Sequence, residues 1–301
     1  KNVCQFHKND YLCNKLKSSN MATITELKDI ATQVRRDIIR MTNSVSSGHP
    51  GGSLGCADVM TALYFEIMDL DVANFKREGK GEDMFFLSNG HISPVLYSVL
   101  ARRGYFPVSE LATFRKLGTR LQGHPSVHDN LPGVRQASGS LGQGLSVGIG
   151  AALAKKYNSC DKLVYTLHGD GELQEGQIWE AVMFAGANKV DNLISIIDVN
   201  GLQIDGSTDQ VCSLGNLRAK FEAFDWSIVE MNGNDMEDTI RGLNQAKRQA
   251  KQGKPVVILM QTQMGYGVDF MQNKNKWHGT PPNDEQAQQA LSQLKETLGD
   301  Y

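Results

Sequence analysis

HGDGELQEGQIWEAVMFAGANKVDNLISIIDVNGLQIDG, residues 168–206, opens on the last residue of the apolar run LVYTLH (163–168) and contains a second run, LISIID (193–198). Between them, QIWEAVMFAGANK (177–189) sets Ile178, Val182, Ala185 and the stem of Lys189 on one helical face. The spacing therefore predicts strand, turn, helix, strand, turn. A right-handed crossover of that kind brings both turns to the carboxyl edge of one parallel sheet, where open α/β sheets hold their ligands.

Both turns carry groups suited to a metal-bridged diphosphate. Gly169 and Gly171 allow the backbone to approach a ligand, and the helix that follows offers its positive end to an anion. Asp170 is a hard oxygen donor for Mg²⁺ or Ca²⁺. Asn200, 30 positions further on, adds a neutral amide oxygen, and the residues just beyond it can add a main-chain carbonyl. One carboxylate suffices, because a diphosphate supplies the remaining negative charge and magnesium keeps substrate oxygens and water in its shell. GDG alone would equally suit a tight turn with an acidic helix start; Asn200 after a second strand shifts the balance to a metal site.

At this point the chain resembles the thiamine diphosphate enzymes, and among them transketolase. The resemblance runs from Thr25 to Leu298 through SGHPGGSLG (47–55), LSNGH (87–91), GHP (123–125), GSLGQGLS (139–146), GDGELQEG (169–176), DVNGLQIDG (198–206) and WHGTPP (277–282). It implies a three-layer α/β/α thiamine diphosphate-binding fold around a mostly parallel sheet. It also implies Asp170, Asn200 and the Leu202 carbonyl as metal ligands, with the Gly171 amide meeting the diphosphate. Gly139, Leu141, Gly169, Glu172 and Asn200 fall at cofactor-binding positions, as do His91 and His278. Where the family usually has a proline, this chain has Ser140, which bears on loop stiffness. His49, His91, His124 and His278 match the catalytic histidines around the reactive carbon and the donor sugar. Glu175 and Glu180 match an acidic network at the family's subunit contact; a solvated helix face accounts for them equally well.

Histidine suits proton transfer at a sugar hydroxyl because its pKa of about 6.5 lies near neutrality. Four of the seven histidines lie in Gly/Pro-rich turns. His7 and His128 have no such context and are expected to be solvated. His168 stands where the family more often has an aliphatic residue and receives no role.

The resemblance implies transfer of a two-carbon ketol unit from a ketose phosphate to an aldose phosphate. A complete transketolase is about twice as long, and its second domain supplies the glutamate that activates the pyrimidine and most phosphate-binding arginines. The expectation is thus an N-terminal, diphosphate-binding subunit that needs a C-terminal, pyrimidine-binding partner, the two assembled as a dimer of heterodimers. A deoxyxylulose phosphate synthase or 2-oxoacid dehydrogenase subunit would share the GDG and Asn turns. SGHPGGSLG, GHP and WHG favour transketolase. A non-catalytic assembly subunit would tolerate damaged metal ligands, whereas Asp170 and Asn200 are intact. A dinucleotide domain lacks its G-x-G-x-x-G signature.

Composition agrees with an enzyme of this class. The 301 residues are 40% hydrophobic, enough for a sizeable core, and the net charge of −2 gives no electrostatic case for nucleic acid or an anionic membrane. No apolar run approaches the roughly 20 residues of a membrane span. The five cysteines, Cys4, Cys13, Cys56, Cys160 and Cys212, are scattered and predict a reducing, cytoplasmic setting. Cys4, His7 and Cys13 have no standard zinc spacing.

Residues 1–22 are polar and read as a disordered leader, with Met21 as the expected natural start; residues 23–301 form one domain. Leu27, Ile30, Val34, Ile38, Met41 and Val45 predict a helix opened by a Thr23/Glu26 capping box and stopped before Gly48. Further helices are expected over 57–68, 142–156 and 236–251, and strands at MFFL (84–87), WSIVEM (226–231) and PVVILMQT (255–262). Residues 221–226 are too short to assign. Residues 265–282 read as a long loop closing over the cofactor.

Overall fold

The computed structural model describes residues 22–301, so the leader, Met21 and the Cys4/His7/Cys13 cluster lie outside the described residues. In chain order the helices are α1 (Ile24–Ser44), α2 (Pro50–Gly55), α3 (Ala57–Ala62), α4 (Ser93–Arg103), α5 (Gly144–Tyr157), α6 (Gly176–Ala187), α7 (Thr208–Cys212), α8 (Leu217–Ala223), α9 (Met236–Gln249) and α10 (Asp284–Gln293). The strands are β1 (Met84–Leu87), β2 (Val164–Gly169), β3 (Leu193–Val199), β4 (Leu202–Gln203), β5 (Gly206–Ser207), β6 (Ser227–Asn232) and β7 (Val256–Gln261).

Five strands form a wholly parallel sheet in the order β1-β2-β3-β7-β6, and β4 with β5 makes a small antiparallel hairpin. Alternate strand residues enter two separate cores. Phe85, Leu87, Tyr165, Leu167, Ile194, Ile196, Val256, Ile258 and Met260 pack with the apolar faces of α1, α3, α4 and α9. Met84, Phe86, Val164, Leu193, Ile197, Val257 and Leu259 pack with α5, α6 and Phe221 of α8. A strand whose two sides are both buried must be covered on both faces, and this makes the fold three-layered α/β/α.

The capping box of α1 forms as the sequence predicts, with Thr23 Oγ accepting from Glu26 N–H and the Glu26 side chain reaching back to Thr23 N–H. Residues 57–68 differ from a regular helix: α3 stops at Ala62 and continues as a wide π-turn over Leu63–Ile67. The Lys189 stem does not share the buried face of α6; Lys189 is exposed, beyond the helix end, at a φ of 50°.

Helix α2 was not legible in the chain, because PGGSLG reads as a turn. Its glycines serve close packing instead: a Cβ on Gly51 would lie 2.7 Å from the Trp277 carbonyl, and one on Gly52 would lie 2.9 Å from Ile92. Pro50 at the first helical positions fixes φ for the entry. Helix α4 likewise lacks a helical stripe that sequence could reveal, since ten of its residues, Ser93 to Arg102, are buried. Among the described residues, no helix is long and apolar enough to cross a membrane.

Candidate active site

Adjacent strands β1, β2, β3 and β7 end side by side, so their carboxyl ends deliver Ser88–His91, Gly169–Glu172, Asp198–Asn200 and Thr262–Met264 to one edge. A cavity of about 300 Å³ lies there, lined by His49, His91, His124, Gly139, Leu141, Gly169, Asp170, Gly171, Glu172, Asn200, Leu202 and His278. Every residue that the sequence marks for metal, cofactor or sugar thus lines one space. Asp198, Asn89, Gln203 and Ile204 border it as well.

Asp170 is 2% exposed. Its carboxylate accepts from Gly171 N–H (2.8 Å) and Gly201 N–H (2.6 Å) and also faces the Asn200 N–H. Burial, followed by the charge of Asp198, nevertheless pushes its pKa to about 7. Asp198 is raised too, by burial, although the Thr262 hydroxyl and the Asn200 amide donate to it. Burial therefore disfavours the ionised form of both carboxyls, a cost that a divalent cation would offset. Asn200 Nδ2 donates to Asp198 Oδ2 (2.8 Å), which fixes the amide's orientation, and Oδ1 accepts from Leu202 N–H (2.9 Å). Among the described residues no three His, Cys, Asp or Glu form a metal cage, so a cation here depends on mixed donors.

The Gly171 N–H, expected to meet a diphosphate, is engaged with Asp170, and the Gly169 N–H donates to Glu172 Oε2 (3.3 Å). Space remains around the glycines themselves. A Cβ on Gly139 would come no closer than 3.9 Å to His124, and one on Gly169 no closer than 3.9 Å to Asn89. Asn89 Oδ1 and the Nδ1 atoms of His49 and His278 are buried without a hydrogen-bond partner among the described residues. Such atoms in a cavity suit a polar ligand.

Four segments distant in sequence bring the histidines together. Ring centroids lie 5.1 Å apart for His49 and His91, 5.8 Å for His49 and His278, 5.0 Å for His91 and His278, and 6.5 Å for His49 and His124. Burial, helped by the neighbouring rings, lowers His49 to about 4 and His91 to about 3. Burial also lowers His278 and His124, the latter further depressed by Arg115. Burial thus disfavours the charged form of all four imidazoles.

The depressed proton affinity of His49 and His91 predicts acid sensitivity. Between pH 6.5 and about 3 the unfolded chain binds protons that the native cluster refuses, so stability present above pH 6.5 is lost as pH falls through this window. Thermal melts of the ligand-free protein should show Tm dropping across that range, with a shallower drop for His91→Gln. Equal slopes would show that the cluster does not titrate in this way.

Sequence reading missed Asp198, whose signal was a carboxylate closing the apolar run two residues before Asn200. It also missed Arg115, at a φ of 55°, whose Nη1 donates to Ser47 Oγ (3.0 Å). Arg115 acts at a distance in sequence from every histidine it influences, so no local pattern marks it. Glu175, Glu180 and His128 are not at the site: all three are exposed, Glu175 and Glu180 on or beside α6, and none lines the cavity.

A parallel sheet with an acidic turn, an amide turn and four clustered histidines at its carboxyl edge defines an α/β domain with a polar, ligand-sized cavity. Residues 27–299 match the family described as transketolase, thiamine diphosphate binding domain, and the chain belongs to that family. It is 39% identical over 264 residues to an apulose-4-phosphate transketolase subunit of Phocaeicola vulgatus, covering 88% of this chain and 92% of that one. It is 38% identical to the 6-deoxy-6-sulfo-D-fructose transketolase subunit SqwG of a Clostridium species, covering 90% and 96%. Human transketolase is 35% identical over 89% of this chain and 42% of its own length. The crystal structure of Campylobacter jejuni transketolase superposes with a TM-score of 0.83 at 33% identity, covering 91% of this chain and 43% of that one.

Proposed function

We propose that this chain is the diphosphate-binding subunit of a two-subunit transketolase, which moves a two-carbon ketol unit from a ketose phosphate to an aldose phosphate. The observation that carries this reading is the convergence of four imidazoles above the edge that holds Asp170 and Asn200. Asp170, Asn200 and the Leu202 carbonyl would hold Mg²⁺, with Ca²⁺ as the alternative hard cation. Gly169 and Gly171, with Gly139 and Leu141, would border thiamine diphosphate, and His91 would adjoin its diphosphate and thiazolium. Bound there, the cofactor supplies a carbon nucleophile and an electron sink for the transferred unit. His49 and His278 would take and return protons at the sugar hydroxyls, and His124 would contact the C1 hydroxyl.

A pyrimidine-binding partner completes the proposal. The chain spans nearly the full length of two relatives named as subunits and less than half of the human enzyme. Helices α5 and α6, which follow the cofactor loops, leave Val147, Met183 and Phe184 exposed at 43%, 55% and 46%. Exposed apolar residues of this kind suit burial in an assembly, here a dimer of heterodimers. The two subunit relatives are named for different sugars at almost equal identity, so these likenesses do not single out one sugar.

The test mixes the chain with a pyrimidine-binding transketolase subunit, thiamine diphosphate, Mg²⁺, a ketose phosphate and an aldose phosphate. Two-carbon-shifted products should form in the mixture and not with either subunit alone. An assembled mixture that binds the cofactor yet shifts no two-carbon unit would overturn the reading.

A further inference from the structure

The Glu172 carboxylate, expected to bind cofactor, is surrounded by protein donors although it borders the cavity. It is 2% exposed. Oε1 accepts from the Ser88 hydroxyl and from Gly142 N–H (2.8 Å), and Oε2 accepts from Gly169 N–H (3.3 Å). Ser88 Oγ in turn accepts from Gly144 N–H (3.0 Å). These donors belong to three separate segments, the loop after β1, the loop before α5 and the end of β2 where its loop begins. The loops are pressed close: a Cβ on Gly144 would lie 2.4 Å from the Ser88 Cβ, and Gly142 has a φ of +85°.

Behind the carboxylate sits His168, fully buried. Its Nδ1 lies 3.5 Å from Glu172 Oε1, a close polar approach, and is otherwise without a hydrogen-bond partner among the described residues, the approach itself falling short of a well-formed hydrogen bond. Its Nε2 lies 2.9 Å from Thr166 Oγ, which lies 3.1 Å from Ser195 Oγ. An ionised carboxylate only accepts, so the contact with Glu172 requires the Nδ1–H form of the ring. A polar chain therefore runs from the three loops through β2 into β3.

We propose that Glu172 and His168 are a positioning pair that sets the spacing of the three cofactor-facing loops without touching cofactor or substrate. The inference rests on the function proposed above for the cavity. A carboxylate is needed because it offers acceptor sites to several donors at once. Glutamine has a single acceptor oxygen, and its NH₂ would face an N–H or O–H. His168 holds the carboxylate against the sheet, where a leucine of similar size would donate nothing.

Glu172→Gln, His168→Leu and His168→Gln should be compared by calorimetry of thiamine diphosphate with Mg²⁺, by hydrogen exchange of the ligand-free protein, and by turnover with the partner subunit at saturating cofactor. Glu172→Gln should weaken cofactor binding by about 10- to 100-fold, as loss of an outer-shell partner does at metal sites, while kcat at saturation changes by less than about threefold. Exchange should accelerate at Gly142, Gly144 and Gly169 and not at β6. His168→Leu should weaken binding by about three- to tenfold, as loss of one polar contact does, and His168→Gln, which can still donate, should recover most of it.

Unchanged affinity and exchange in Glu172→Gln would overturn the proposal. So would a collapse of kcat with unchanged affinity, since Glu172 would then touch the reacting atoms. Should Glu172→Gln fail to fold, the His168 pair decides: equal affinity in the leucine and glutamine variants refutes the positioning role. A wild-type chain that binds no thiamine diphosphate would refute the proposed function instead, and the exchange arm would still test the loop spacing.

Discussion

Asp170→Ala is expected to abolish the metal-dependent binding of thiamine diphosphate, with affinity falling more than about 100-fold because the only carboxylate of the proposed ligand set is gone. The fold should survive. Asp170 is a buried acid whose pKa is pushed to about 7 by burial and by Asp198, so its ionised form opposes folding near neutral pH. Asp170→Asn, which keeps the shape and removes the charge, should leave the ligand-free Tm equal or higher. Ligand at 100 times Kd stabilises a folded protein by about 2.7 kcal/mol, so wild type should gain Tm with cofactor and Mg²⁺ while both variants gain none. A variant that kept the full gain would remove Asp170 from the metal site.

Gly90→Ala should be the most damaging conservative change near the site. A Cβ there would lie 1.8 Å from the Ser138 carbonyl oxygen and 2.6 Å from Ser138 Oγ. Ser138 N–H is itself tied to the Pro125 carbonyl (3.1 Å), so the obstacle is anchored backbone and not the tip of a flexible side chain. Relief requires the loop bearing His91 to separate from the segment leading into Gly139. Overpacking of this severity should cost about 3 kcal/mol, a Tm loss of about 6–12 °C in a domain of this size, with cofactor affinity falling alongside. Gly150→Ala provides the control. Gly150 is exposed on α5 with nothing within 4 Å of its added Cβ, and alanine there should be neutral or stabilise by up to about 1 kcal/mol. Similar losses in both variants would show that the Gly90 contact is not tight.

Both predictions depend on the same edge of the sheet, and that edge was only partly legible in the chain. The βαβ unit was readable because its signals are local: two apolar runs, a helical stripe between them, and turn residues at the ends. The Thr23/Glu26 cap and the strands at 84–87 and 255–262 were readable for the same reason. PGGSLG was not, since its glycines answer to Trp277 and Ile92, which are far away in sequence. Ser93–Arg103 hid its helix because it is buried nearly all round, leaving no polar face to give it a period.

The amino-acid order alone determined which groups were available: a carboxylate and an amide after successive strands, glycines where backbone must approach a ligand, and histidines in turns. Tertiary structure decided how those groups behave. It gathered four imidazoles from separate segments and partly desolvated them, which disfavours their charged form. It set Asp198 against Asp170, and it surrounded Glu172 with donors from three loops. Chemical identity belongs to each residue, whereas desolvation and charge coupling depend on which distant segments fold over it. Only the packed molecule specifies those neighbours.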